Sequence, residues 1–303
     1  MGSRSIVDTA VAEADAQTSP AGLAARYGLS IAGARPGLLA YTKQIWAYRH
    51  FIVTFANSQL AAAFSTARLG RLWQVLTPLT NAGVYYLIFG VILNTKHGIP
   101  NFIAYLCIGV FIFGYTSQVV TGGTQAITRY LGLIRALHFP RASLPLAITA
   151  MQLQNLIASM IVLMAIVIGT GEPITMRWLL MIPALVLQSM FNAGLALALA
   201  RVGAKMVDFK QLIPFIMRTW MYASGVMYSA TLFADHLPHA AAEVLKLNPM
   251  LVYVELIRYA LLRTATLASP ADHLWLIGGF WAVIGGILGY IYFWRGEQEY
   301  GRG

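Results

Sequence analysis

Charge is scarce in this chain. Only 11% of its 303 residues are Asp, Glu, Lys or Arg, against about a quarter in soluble domains. Carboxylates are scarcest, eleven in all, and none are paired for acid–base work. One cysteine, Cys107, excludes any disulfide within the chain; it lies in an apolar run and reads as a packing residue. There is no G-x-x-x-x-G-K-[ST] loop, so nucleotide is not held here by that route. H-E-x-x-H and G-x-S-x-G are missing too. The best metal candidate, His236, His239 and Glu243 after Asp235, is interrupted by Pro238. It is read as an exposed polar helix start, and no metal is expected.

What fills the sequence instead is apolar. Hydrophobic residues make up 58% and mean hydropathy is +0.65, which places the chain among polytopic membrane proteins. The expected fold is an all-α membrane protein. A bilayer-crossing helix needs about 20 mostly apolar residues. Six stretches qualify: about 73–94, 102–121, 144–169, 178–200, 212–230 and 274–294. Within 231–273 the stretch "MLVYVELIRYALL", 250–262, is apolar but holds Glu255 and Arg258, with Arg263 directly after it. Each charge costs about 2.5–3.5 kcal/mol at a span centre, so this helix is expected at the interface or dipping in, between spans 5 and 6. Residues 1–35, with Asp8, Glu13 and Asp15 and no apolar core, are expected to form a mobile tail and not a cleaved signal.

Cationic residues set the expected orientation. With the N-terminus inside, fifteen of the 21 Lys and Arg residues fall on the inner side and five outside, with Arg218 within a span. Both termini and the segment "ALHFPRASLP", 136–145, are then cytoplasmic in the plasma membrane. The net charge of +10 follows topology and anionic lipid, and no nucleic acid is required. From Pro36 to about 66, Lys43, His50, Thr54 and Asn57 fall on one stripe of a helix, opposite Leu38, Ile45, Trp46, Ile52 and Phe55. That pattern predicts an amphipathic interface helix, or an ordinary helix covering the bundle, leading to Arg68 and Arg71 at head-group depth.

Polar residues inside spans usually face the bundle or a cavity. Gln152, Asn155 and Ser159 share one face, as do Gln188 and Asn192. Interhelical hydrogen bonding and pore lining are the two readings. Arg218 either snorkels or meets a polar cavity or anionic substrate. Gly278, Ala282, Gly285 and Gly289 form a small-residue packing stripe. Aromatic residues crowd three spans; Tyr85, Tyr86 and Phe89 lie mid-span, where an interfacial belt does not explain them. Their faces suit sugar rings, with core packing as the rival reading.

Residues 67–93, "ARLGRLWQVLTPLTNAGVYYLIFGVIL", resemble the start of the first span in ABC-type-2 exporter permeases of the O-antigen, teichoic acid and capsule class, matching at Leu69, Gly70, Leu72, Trp73 and Pro78. "LIRALHFPRASLPLA", 133–147, resembles that family's cytoplasmic L-I-x-K-x-x-F-P-R-x-x-L-P segment, and "LNPM", 247–250, with Arg258 resembles its external N-P and downstream Arg. Two departures stand out. Arg135-Ala136 replaces a common Lys, and Gly225 in "YASGVMYS" stands where the family often has Pro. Within the class the chain looks most like actinobacterial galactan-exporting permeases of the Wzm type.

The resemblance implies a division of labour. Two permease copies pair with two ATP-binding subunits that hold ATP and Mg, and this chain carries no cofactor and makes or breaks no bond. Leu133, Arg135, Leu137, His138, Phe139, Pro140 and Arg141 would form the coupling helix docked on the ATPase, with Leu137 and Phe139 as apolar anchors. Lys43, Arg49, Arg68 and Arg71 would meet the diphosphate of a polyprenyl-linked polysaccharide and lipid head groups. Trp73, Tyr85, Tyr86, Phe89, Tyr115, Trp220, Tyr222 and Tyr228 would line a glycan channel. The competing readings are a passive channel, a drug- or lipid-exporting relative, and a membrane enzyme using Asp208 or Asp235.

Overall fold

The computed structural model describes residues 36–65, 70–92, 99–229, 238–298 and 300, without the side chains of Phe64, Ser65, Arg71, Gln74 and His239. The expected tail 1–35, Arg68, Asp235 and His236 lie outside the described residues, as do the side chains of Arg71 and His239.

Every regular element among the described residues is helical. Two short helices open the fold, α1 (Leu38–Ala47) and α2 (Arg49–Ser65). A turn at Gly70–Leu72 leads into α3 (Trp73–Tyr85), which continues as π-helix through Tyr86–Ile92. Then come α4 (Phe102–Thr124), the short α5 (Ala126–Arg129) and α6 (Leu131–Ala136), and α7 (Ser143–Gly169). A 3-10 turn, Met176–Leu180, precedes α8 (Met181–Lys205). The rest is α9 (Phe209–Tyr222), α10 (His239–Lys246), α11 (Pro249–Leu261) and α12 (Ala271–Arg295).

Five helices are long and apolar enough to cross a bilayer: Val75–Ile92, Phe102–Thr124, Ser143–Gly169, Met176–Lys205 and Ala271–Arg295. They coincide with five of the six expected stretches. The stretch expected at 212–230 is different. Its helix α9 has 14 residues and stops at Tyr222, and the chain then turns through Gly225 at φ +58°. Fourteen residues reach only about 21 Å at 1.5 Å per residue, short of a bilayer's ~30 Å hydrocarbon core.

Burial ranks the helices. In α4, 78% of the membrane-length window is buried, against 11% for Val75–Ile92. So α4 is the central post, packed on α7, α8, α3, α9 and α11, while α3 lies on the outside. Apolar side chains gain nothing by leaving lipid for one another, so association here depends on close fit and interhelical hydrogen bonds. The glycine stripe supplies the fit. A Cβ on Gly194 of α8 would collide with Gly285 and Gly286 of α12, and one on Gly289 with Gly194. Hydrogen bonds come from the polar stripe of α8. Gln188 Nε2 donates to the Ile112 carbonyl at 3.1 Å and to Thr116 Oγ1 at 3.0 Å. Thr116 Oγ1 in turn donates to Asn192 Oδ1 at 2.9 Å. For Gln188 and Asn192 the structure shows interhelical bonding.

Helix α11 is buried along nearly its whole length between α12, α4 and α8. Its two charges, which argued against a span, are fully buried yet satisfied. Glu255 accepts from the Ala268 N–H at 2.9 Å, and Arg258 donates only to backbone carbonyls, as described below. The expected continuous interface helix is in fact two helices, broken at Tyr48 (φ −87°, ψ 12°). Lys43, His50, Thr54 and Asn57 are exposed on them, as is Trp46.

Candidate functional site

Two regions gather the residues singled out by sequence. The first is the segment between α5 and α7. Tyr130 (φ −113°, ψ 25°) breaks the helix before α6, and the chain leaves α6 extended at Leu137 (φ −126°, ψ 142°). Pro140 then leads into a turn whose bonds from Ser143 N–H to Pro140 O (2.9 Å) and Leu144 N–H to Arg141 O (3.2 Å) start α7. A proline lacks the N–H a continuing helix needs, which is why α6 and α7 do not merge.

The side chains of this segment split into two sets. Arg135, Leu137 and His138 face outward, and Leu137 is 52% exposed. Phe139 turns inward, its ring 5.0 Å from that of Phe51 on α2. Leu133 packs on a second core that includes Ile134, Ile127, Leu144 and Phe293. Tyr48 Oη donates to the His138 carbonyl at 3.1 Å, and Tyr130 Oη to Gln59 Oε1 at 2.7 Å. The segment is therefore braced against both opening helices.

A further brace escaped the sequence reading. Glu297, buried just beyond α12, accepts from Tyr41 Oη at 2.6 Å through one carboxylate oxygen and from the Arg141 N–H at 3.1 Å through the other. The Arg141 guanidinium donates to the Glu297 carbonyl, and Tyr41 Oη accepts from the Ala142 N–H at 3.2 Å. Burial raises the Glu297 carboxyl above its usual range, while the Tyr41 and Arg141 hydrogen bonds and the Arg141 charge oppose that rise. Burial and the adjacent carboxylate push the Tyr41 phenol up as well.

The second region is the outer side of α4, flanked by α3 and α9. Tyr86 and Tyr222 are exposed there, and Tyr85 and Phe89 half-buried, whereas the exposed Trp73, at the start of α3, borders a cavity between α4 and α7. Tyr85 sits within electrostatic reach of Tyr222 and Arg218, and Arg218 is exposed on α9. The other aromatics are held differently. Tyr115 is 3% exposed and donates to Ser189 Oγ at 3.0 Å. Trp220 packs edge-on against Phe113 and donates to Asn248 Oδ1 at 2.9 Å. Tyr228 Oη donates to the Tyr222 carbonyl. Lys43 and Arg49 are apart from this wall, exposed on α1 and α2, with Arg49 stacked 5.4 Å from the Trp46 ring.

The end of α9 is fixed by a polar knot. Asn248 Nδ2 donates to Ala223 O (2.9 Å) and Ser224 Oγ (3.1 Å), and its Oδ1 caps α11 at Met250 N–H (3.1 Å). Arg258 is fully buried. Its guanidinium lies 3.3 Å from the Tyr105 ring centroid and donates to Gly225 O at 2.9 Å, Val226 O at 2.9 Å and Tyr105 O at 3.1 Å. Asn248 and Arg258 thus bond the backbone where α9 ends. The match of "LNPM" and Arg258 to a family motif has a structural reason here.

Residues 50–262 match the family model for ABC-2 type transporters. The chain belongs to the ABC-2 type transporter family. It is a multi-pass membrane protein of that family. Among similar curated proteins, the O-antigen export system permease protein RfbA of Myxococcus xanthus is 25% identical over 213 residues, 70% of this chain and 80% of the relative. A Klebsiella pneumoniae protein of the same name is 22% identical over 200 residues, 66% of this chain and 75% of its own. The polysialic acid transport protein KpsM of Escherichia coli is 25% identical over 214 residues, 67% of this chain and 78% of its own. The family match spans both regions described above, from Phe51 to Arg258.

Proposed function

We propose that this ABC-2 chain is the transmembrane subunit of an ATP-driven exporter that moves a polyprenyl-diphosphate-linked polysaccharide, a cell-wall galactan, outward across the plasma membrane. The observation that carries the reading is the ABC-2 match over 50–262, joined to relatives named as an O-antigen export system permease and a polysialic acid transport protein. ATP and Mg belong to two partner subunits, and a second copy of this chain completes the pore.

The segment 131–142 fits the coupling role. Leu137 offers the apolar contact to the ATPase, and Arg135 and His138 a polar rim, the usual anatomy of an interface. Phe139 acts from behind, by holding the segment on Phe51. Push from the ATPase then reaches α1, α2 and the end of α12 through Tyr48, Tyr41 and Glu297, a route by which nucleotide state biases the bundle. The chain crosses six times in this reading. Pro36, Ala142 and Glu297 share one end of the bundle through the Tyr41 contacts and the Trp294 bond to Pro36. Five long helices are an odd number, so α9 and the turn after it make the sixth passage. The α3–α9 aromatic wall, with Arg218, is the surface along which sugars pass, facing the second copy.

Depletion of the chain tests the cargo. The account expects lipid-linked polysaccharide to build up on the cytoplasmic leaflet, with galactose as a principal sugar. Unchanged export of every glycan, with accumulation of a small amphipathic drug instead, would favour the drug-exporting alternative.

A further inference from the structure

A second polar surface opens on the flank of α3 that faces α7, and Trp73 and Tyr115, both singled out by sequence for the glycan channel, border it. Two cavities, roughly 440 Å³ and 480 Å³, occupy the valley between α4 and α7. Both are bordered by Ser117, Gln118 and Gln152, so they meet. One is roofed by α2 and runs to Arg129 and Tyr130; the other is roofed by α3. On α4 the walls extend from Phe111 to just past Thr124, about 20 Å at 1.5 Å per residue.

The lining is unusual for helices at this depth. Its polar groups are carboxamides and hydroxyls, the carboxamides being Gln59, Asn81, Gln118, Gln125, Gln152 and Asn155. Among the described residues no carboxylate borders either cavity, and Arg129, at the α5 end, is the one cation. Helix bonding accounts for Gln59, which accepts from Tyr130 Oη at 2.7 Å, but not for Gln118 and Asn81. Gln118 and Asn81 are exposed. Gln152 accepts from Asn155 within the same helix at 3.1 Å, and the buried Oδ1 of Asn155 has no hydrogen-bond partner. A neutral amide offers both donors and an acceptor, which suits hydroxyl-bearing rings and not acyl chains. The rings of Phe55 and Tyr130, 5.1 Å apart, stand at the Arg129 end. An arginine there suits a phosphate.

We infer that the α4–α7 valley is a binding site for the phosphate-linked first sugars of a glycolipid, with Arg129 on the phosphate and the carboxamides along the sugars. This rests on the exporter reading and adds to it a loading site distinct from the α3–α9 wall. Anionic phospholipid or free phosphate presents the same phosphate but lacks the sugars that the valley's length and amides accommodate.

The test uses the full-length chain with its ATPase partners in nanodiscs. The probe is a short-chain prenyl-diphosphate digalactoside bearing a diazirine on the sugar; a sugar-free prenyl diphosphate bearing the same group serves as comparison. Labelled residues are mapped by mass spectrometry. The sugar-bearing probe is expected to label 114–125 and 147–159. Gln118→Leu, at an exposed position, should weaken that labelling but not labelling by the sugar-free probe. Arg129→Gln should weaken both roughly tenfold, the loss of about one charge-assisted hydrogen bond. Labelling confined to α9 and to Tyr85, Tyr86 and Phe89 would overturn the site while the exporter reading stands. So would full displacement by excess phosphatidylglycerol or inorganic phosphate, or disulfide linkage between two Gln118→Cys copies, which would put a second protomer in the valley. No labelling anywhere, with no ATPase retained, would overturn both.

Discussion

Replacing Arg258 should loosen the end of α9 more than any other single change outside the helix crossings. Its guanidinium is fully buried and satisfies the carbonyls of Tyr105, Gly225 and Val226. Arg258→Met keeps a long side chain but leaves these acceptors without their donor. Each buried unsatisfied group costs about 1–3 kcal/mol. Shared relaxation keeps such losses from adding fully, so the expected loss is about 3–5 kcal/mol, in line with breaking a buried charged contact. Arg258→Lys should recover only part of it, since one ammonium cannot reproduce the planar fork that bonds carbonyls on two segments. The assay is thermal unfolding in mild detergent with hydrogen exchange at 222–229. The expected result is a lower midpoint and faster exchange in that segment. A Met variant that melts within about 2 °C of the parent, where a kcal/mol is worth roughly 2–4 °C, would show that the knot does not hold the turn.

Three other changes follow from the same contacts. Gly225→Ala, at φ +58°, should cost about 1–2 kcal/mol for the left-handed backbone, and Gly225→Pro should fail to fold because proline is locked near −65°; normal yields of the Pro variant would mean the turn can reshape. Gly289→Ala places a methyl against the Gly194 backbone; about 1–3 kcal/mol of overpacking should show as a lower melting midpoint, and an unchanged one would mean that α8 and α12 part freely. For Glu297 the folded carboxyl is raised above its ordinary 4.5, so the folded state holds the proton longer and stability falls as pH climbs from about 4.5 through the raised value. Glu297→Gln should flatten that part of the pH–stability curve, and parallel curves for the two proteins would refute the burial argument.

Hydropathy made most of the frame legible. The run from Phe102 was expected as a span and is one helix long and apolar enough to cross a bilayer, capped by Asn101 on the Ala104 N–H. The glycine stripe of α12 was expected to pack and does, against Gly194. Where the reading fell short, the deciding partner was distant in sequence. Composition counts residues 223–229 as apolar, but the positive φ of Gly225 and the Arg258 bonds, from 33 residues away, fix them as a turn. Glu255 and Arg258 argued against a span, and α11, 13 residues long, is not one of the five span-length helices; its burial is what a hydropathy window could not show, since it cannot see Ala268 or Tyr105. The interface helix broke at Tyr48, a residue with no helix-breaking character; its hydroxyl bonds the His138 carbonyl, 90 positions on. The segment 133–141 could be located by its prolines and basic residues, and its proposed coupling role rests on the family resemblance. Only the fold shows that Phe139 points in and Leu137 points out, because both are large and apolar.

That difference gives the most direct test of the central claim. The chain is purified from its native membranes in mild detergent, as parent, Leu137→Asp and Phe139→Ala, and each is assayed for a bound P-loop ATPase and for thermal stability. The account predicts a stoichiometric ATPase on the parent. It predicts loss of that ATPase from Leu137→Asp with the melting midpoint unchanged, since Leu137 is half exposed. Phe139→Ala should melt earlier, having lost the Phe51 ring contact and its burial, worth together about 3–5 kcal/mol at most. A parent chain that is monodisperse and carries no ATPase would contradict the exporter account, and an ATPase retained in full by Leu137→Asp would contradict the coupling role of the segment.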